Sequence, residues 1–327
     1  MKKRVSAILL ALVLILCLVA ACSDKSAPVV GAAARGVYIA IDYMSGSSLR
    51  FDRDEFQRLM GDYNIELTVE IGNVADNISA IEQAIEDSLD VIFINPNDIE
   101  SVIPALTRAR EAGIIVGLFS SHPPLDEYPD YPFDFFAGTD DYLGGVQAGE
   151  YVSERFPDGA NFVEVGGQTG HIAAINRHEG FRDGIAANIV ELDSQFVPGS
   201  WRTDEAREIM EDFLLIYGDE INIVWCHWDN GASGVIEAVQ NAGKVPGTDI
   251  AAGEIFIIGY DGNGTGYKQV EDGFQALSVG QSLTNMAMRC LENARIMLDG
   301  GTVDKMNWIP HDMVTLETID NFPRPEW

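Results

Sequence analysis

The sequence predicts an α/β protein of two doubly wound, parallel-sheet lobes, and three observations carry that prediction. From Gly36 onward, strand-length apolar runs alternate with amphipathic segments about ten times, the pattern of a parallel sheet with helices on both faces. Runs such as Val91-Ile-Phe-Ile94 and Ile255-Phe-Ile-Ile-Gly259 are apolar with hardly a break, as strands buried on both faces must be. Ten strands overfill one sheet of this kind, so two lobes of about five strands fit better, with a change-over near Gly138–Gly145. With 327 residues, 46% of them apolar, the chain has material for two cores.

Taken in order, the chain begins with Lys2, Lys3 and Arg4, an apolar stretch Ala7–Val19, and Val19-Ala-Ala-Cys22. That order reads as a lipoprotein signal over residues 1–21, with Cys22 the lipidated residue. A membrane-spanning anchor is the competing reading, but the run falls short of the roughly 20 residues spanning needs. Residues 22–35, with Ser, Pro, Gly and several alanines, read as a tether. Strands are predicted at 37–41, 66–71, 91–94, 114–119, 134–137, 161–165, 195–197, 221–226, 255–259 and 276–280. Ile78, Ile81, Ile85 and Leu89 recur at helical spacing, with Asp76 or Asn77 as the cap. Ile209, Phe213 and Ile216 mark another helix, and Met286–Leu298 a further one. Cys17 belongs to the signal, while Cys226 in a strand and Cys290 in a helix read as buried free thiols. No short-period repeat is visible, which excludes a solenoid.

The 51 acidic residues against 21 basic give a net charge of −30, which becomes −33 when Lys2, Lys3 and Arg4 leave with the signal. Such a surface argues against nucleic acid or an anionic membrane surface as a partner, and suits a soluble exported protein.

Three apolar strands end in polar side chains: Val91-Ile-Phe-Ile-Asn-Pro-Asn-Asp98, Ile221-Asn-Ile-Val-Trp-Cys-His-Trp-Asp-Asn230 and Ile255-Phe-Ile-Ile-Gly-Tyr-Asp-Gly-Asn-Gly264. Open α/β sheets bind ligands just beyond the carboxyl ends of their strands, so these are candidate walls of one pocket and Asp261 a candidate binding residue. Here the sequence resembles the type I periplasmic binding proteins that capture monosaccharides, the ribose and xylose types among them. Ile92-Phe-Ile-Asn-Pro-Asn-Asp98, Arg177-His-Glu-Gly-Phe181 and Ile258-Gly-Tyr-Asp-Gly262 match ribose-type strand ends and helix. Thr139-Asp-Asp-Tyr-Leu-Gly-Gly145 matches the segment that crosses between lobes. Ala40-Ile-Asp42 with Asp52-Arg-Asp-Glu-Phe56 matches the xylose type. The resemblance spans roughly Gly36 to Val314.

The resemblance implies lobes of 36–140 plus 282–308 and 141–281 plus 309–327, joined by a three-stranded hinge and closing on a sugar. It places Trp201 as the stacking aromatic and Asp261 as the carboxylate that accepts sugar hydroxyls. Gln281, Asn95 and Arg177 take ribose-type polar positions, Thr139 begins the crossing segment, and Asp42 and Tyr43 line the mouth. Read without the family, Trp201 is a core or lip tryptophan, Asp261 a turn residue, Asn95 part of an Asn-Pro turn and Arg177 a helix-surface charge. Three departures stand out. Ser120-Ser121 replaces a charged Asp-Arg pair, Trp228 replaces an asparagine, and Ser48-Leu49 stands where an Arg-Trp pair is expected, with Arg50-Phe51 two residues on. The pocket is therefore expected to be less polar than that of the ribose type, and the ligand's identity does not carry over.

The expected function is a lipid-anchored solute-binding protein of an ABC importer, a monomer that hands a monosaccharide or related polyol to a membrane permease. Two alternatives stay open: a sensory subunit for a histidine kinase or chemoreceptor, and a nucleoside-binding protein of the same fold. The glycines around Asp261 do not have Gly-x-Gly-x-x-Gly spacing and come late in the fold, which argues against a dinucleotide. Asp261-Gly-Asn-Gly-Thr-Gly266 with Asp272 partly mimics a calcium loop, but Lys268 interrupts it. His122, His171, His178, His227 and His311 lack metal-ligand spacing, and no Gly-x-Ser-x-Gly elbow is present. No cofactor, metal or catalytic role is assigned.

Overall fold

The structure, a computed structural model, describes residues 32–41, 54–96 and 98–325. The signal, Cys22, most of the tether, Asp42, Tyr43 and the Ser48–Phe51 stretch lie outside the described residues. Thirteen strands form two sheets among them. The first sheet contains β1 (Ala34–Ile41), β2 (Ile65–Gly72), β3 (Val91–Ile94), β4 (Ile115–Phe119), β5 (Phe135–Gly138) and β12 (Met306–Trp308), in the spatial order β12-β5-β4-β3-β1-β2 and wholly parallel. The second contains β6 (Ala160–Gly166), β7 (Ile189–Phe196), β8 (Ile223–Cys226), β10 (Glu254–Asp261), β11 (Leu277–Gly280) and β13 (Asp312–Val314), ordered β13-β11-β10-β8-β6-β7, with the two-residue β9 (Val245–Pro246) beside β10. Both sheets are doubly wound, their order reversing between β1 and β3 and between β6 and β8. Only β13 runs antiparallel, against β11.

Strand pleating sends alternate residues to opposite cores. Tyr38 and Ala40 of β1 join the core that includes Phe56, Phe119, Met286 and Leu291, while Val37 and Ile39 face the core of Ile81, Leu106 and Phe136. In β10, Ile255 and Ile257 pack with Val224, Met210 and Val235, and Phe256, Ile258 and Tyr260 pack with Phe162, Phe181 and Trp225.

The helices are α1 (54–59), α2 (Val74–Glu86), α3 (Ile99–Glu111), α4 (Asp141–Arg155), α5 (Ile172–Gly184), α6 (Thr203–Tyr217), α7 (Asp229–Asn241), α8 (Gly264–Glu271) and α9 (Leu283–Leu298). The cap of α2 is neither Asp76 nor Asn77. Asn73 Oδ1 accepts from the amides of Ala75 and Asp76, and Asp76 Oδ2 accepts from the amide of Asn73, a complete capping box that makes Asp76 its third residue. On α6, Ile209 and Phe213 are buried but Ile216 is 63% exposed. The strand expected at 195–197 is the longer β7, an edge strand whose mixed polar face hides its period. The chain passes between the layers of the two sheets at 139–140, at 281–282 and at 309–311. Cys226 and Cys290 are both buried.

Candidate functional site

Asp261 is the last residue of β10, and its φ of +111° lies in the region that favours glycine. Asp229, the first residue of α7, holds the turn that imposes this strain. Its carboxylate is fully buried and accepts from the amides of Gly262 (2.9 Å) and Asn263 (3.2 Å), from Ser278 Oγ (2.8 Å) and from Gln275 Nε2 (2.9 Å). Burial pushes the Asp229 carboxyl above its ordinary range, and these hydrogen bonds oppose the rise. A Cβ at Gly259 or Gly266 would come within 2.3 or 2.0 Å of the same carboxylate. The glycine-rich turn thus wraps a buried side chain, which accounts for glycines that lack the dinucleotide spacing.

Asp261 Oδ1 accepts from Gln281 Nε2 at 3.0 Å, and Gln281 Oε1 accepts from Thr139 Oγ1 at 3.0 Å. This chain of bonds ties the end of β5 in the first sheet to the ends of β11 and β10 in the second. Arg177 of α5 lies 3.7 Å from Asp261 and donates through Nε to Asp141 Oδ1 at 2.8 Å and through NH1 to the His227 carbonyl. Burial raises the Asp261 pKa, Arg177 opposes the rise and Asp229 adds to it.

Arg177 is 5% exposed, so the helix-surface reading does not hold for it. Its guanidinium sits 3.6 Å over the Tyr260 ring and 5.4 Å from the Trp201 ring. Trp201 in turn meets His171 and Trp228 edge to face, at 5.4 and 5.5 Å. Tyr260 Oη lies 2.7 Å from His311 Nε2. Burial drives His171 and His311 down to about 4, so both rings are neutral near pH 7.

Contacts therefore join six of the expected residues: Thr139, Gln281, Asp261, Arg177, Trp201 and Trp228. Trp201 reaches Asp261 through Arg177, which lies 5.4 Å from the indole and 3.7 Å from the carboxylate. Asn95, Ser120 and Ser121 follow the carboxyl ends of β3 and β4, next in the sheet to β5 and its Thr139. Among the described residues, the buried Asn95 Oδ1 and Trp228 Nε1 have no hydrogen-bond partner, and Ser120 has a φ of +66°. Asp42 and Tyr43 lie outside the described residues. Sequence reasoning missed Asp141 and Asp229, which orient Arg177 and the Asp261 turn. It also left Tyr260 without a role.

The site offers carboxylate, amide, hydroxyl and guanidinium groups beside a flat indole. It can pair with a neutral ligand whose groups both donate and accept and whose skeleton has an apolar face. The calcium-like stretch does not form a loop, because residues 264–271 are helical and Lys268 pairs with Asp272 beyond them. Among the described residues, no group of three or more His, Cys, Asp or Glu side chains is arranged to hold a metal ion, and no helix is long and apolar enough to cross a membrane.

Residues 37–302 match the family described as the periplasmic binding protein domain. The ribose import binding protein of Escherichia coli K12 is 27% identical over 242 residues, covering 74% of this chain and 76% of that protein. The galactofuranose-binding protein of the same organism is 32% identical over 217 residues, 65% of either chain. Among solved structures, an ABC transporter periplasmic solute-binding protein from Actinobacillus succinogenes 130z, with bound D-allose, superposes with a TM-score of 0.78 at 22% identity, covering 88% of this chain and all of that one.

Proposed function

The chain belongs to the periplasmic binding protein family, and from that premise we propose that it captures a monosaccharide or related polyol for an ABC importer. It is a binding protein and not an enzyme, as its relatives are. The observation that carries the ligand class is the joined set of Thr139, Gln281, Asp261 and Arg177 beside the Trp201 ring. Sugar hydroxyls donate to Asp261 and accept from Arg177 and Gln281, while an apolar ring face lies on the indole. Relatives named for ribose and galactofuranose support this reading. In the same proposal, Cys22 carries a lipid that tethers a monomer outside the cytoplasm. The two sheets are lobes that close about the three crossings, and the closed form docks on a membrane permease.

The test is tryptophan fluorescence and thermal shift against D-ribose, D-allose, D-galactose, myo-inositol and a set of nucleosides. Saturable binding of one sugar or polyol is expected. Silence with every sugar and saturable binding of adenosine or uridine would overturn the reading. That outcome would favour the nucleoside alternative, for which the adjacent indoles of Trp201 and Trp228 speak.

A further inference from the structure

Beneath the ligand-facing residues lies a carboxylate that they do not explain. Glu164, within β6, is fully buried. Its Oε1 accepts from His227 Nε2 at 2.7 Å, and its Oε2 from Arg182 NH1 at 2.7 Å and Ser194 Oγ at 3.0 Å, with His178 Nδ1 at 2.9 Å. Arg182 also pairs with Glu191 of β7. Burial acts to raise the Glu164 pKa, but the His178 and His227 hydrogen bonds and the Arg182 charge hold it well below the usual carboxylate range. Well-packed apolar residues stabilise such a position as well or better, so a charge cluster there asks for another explanation.

His227 supplies it. Its Nδ1 accepts from the Gly167 amide at 3.1 Å, and with Nε2 donating to Glu164 the ring is fixed as the neutral Nε2–H tautomer. Its carbonyl receives Arg177 NH1. Gly167 is also where the Trp201 ring rests, since a Cβ there would come within 2.2 Å of the indole. One carboxylate is thus linked, through one histidine, to both the guanidinium and the indole of the site.

We propose that Glu164 and His227 are positioning residues of the binding site, setting the Arg177 guanidinium and the Trp201 plate before a ligand arrives. The affinity part rests on the sugar-binding reading, whereas the placement of Arg177 does not.

Hydrogen exchange of the Arg177 Nε–H, followed by NMR in the ligand-free protein, tests that placement. Glu164→Gln and His227→Leu should each speed it about ten-fold or more, and His227→Gln, which keeps a donor to Glu164, should stay within about two-fold of the parent. His227→Leu leaves Glu164 with His178, Arg182 and Ser194, so the His227 pair decides the matter if Glu164→Gln does not fold. In titrations with D-ribose, D-allose and myo-inositol, Glu164→Gln should raise the Kd of whichever binds about ten-fold. In an Arg177→Gln background the effect should shrink, and what remains is the part carried by the Trp201 plate on Gly167. Unchanged exchange in Glu164→Gln and His227→Leu, or a Glu164→Gln effect undiminished in the Arg177→Gln background, would overturn the proposal. If the parent binds no sugar or polyol at all, the sugar reading is what fails, and the exchange comparison still decides the positioning role.

Discussion

Asp229 has four donors converging on one buried carboxylate, and two of them are amides of the turn that follows Asp261. Asparagine at this position keeps the volume but turns an NH2 toward groups that already donate. At least one buried donor then goes unpaired, so Asp229→Asn should cost about 2–4 kcal/mol in urea unfolding and weaken binding as the Asp261 turn relaxes. Trp201 separates two effects at the same scale. Trp201→Phe keeps a flat apolar face and should stay within about ten-fold of the parent Kd, whereas Trp201→Ala loses stacking as well as its contact with Arg177 and should fall further. Isothermal titration with the sugar found in the panel checks both. Equal losses for Phe and Ala would mean that the indole is valued for more than its face.

At the scale of elements, α4 and α5 approach along a seam of glycines, and this places Arg177 against Asp141. A Cβ at Gly180 would lie 2.0 Å from the Tyr142 carbonyl, and one at Gly145 2.5 Å from the Arg177 carbonyl. Both obstacles are backbone, so the helices must separate to admit it. Gly180→Ala is therefore expected to lower stability by about 2 kcal/mol or more and to weaken binding by displacing Arg177, as thermal unfolding and titration would show together. The sequence made this layer legible where the physics is local. Apolar runs located both sheets, a strand end singled out Asp261, and the resemblance to the ribose type added Gln281 and Arg177, which lie beside it. It failed where the signal is mixed or nonlocal. Edge strand β7 alternates too little to read, and the cap is Asn73 where the sequence offers Asp76 and Asn77, the third and fourth residues of the helix. Asp229 looked like one more acid in an acidic chain, because its partners Gln275 and Ser278 are more than forty residues away. Glu164 did leave a trace: a charged residue inside the run Asn161-Phe-Val-Glu-Val165 marks a strand whose burial needs a partner.

For the molecule as a whole, two neutral histidines near the crossings make stability depend on pH. His171 and His311 titrate near 6.5 when unfolded and are held down to about 4 when folded, so the unfolded chain takes up protons first on acidification. The stability they contribute is complete above pH 6.5, declines as pH falls from 6.5 to 4, and amounts to at most about 3 kcal/mol each. Asp261, whose pKa is raised, works the other way, its contribution being lost as pH rises through that raised value. Because Asp229 and Asp261 gain stability on acidification while the two histidines lose it, the check is a comparison: in urea unfolding between pH 4 and 8, His311→Gln should lose less stability toward low pH than the parent. His311 also sits on the third crossing and holds Tyr260, while Thr139 and Gln281 join the first crossing to the second. A ligand that draws on Asp261 and Gln281 from one sheet and on Asn95 or Ser120 from the other gains most when the two sheets approach, so binding and closure are one equilibrium. Small-angle scattering should accordingly show a smaller radius of gyration at saturating sugar. Gln281→Ala should weaken binding and, at saturation, reach the same compact state only at higher sugar concentration. An unchanged radius at saturation would place the ligand within one lobe and remove the need for a hinge.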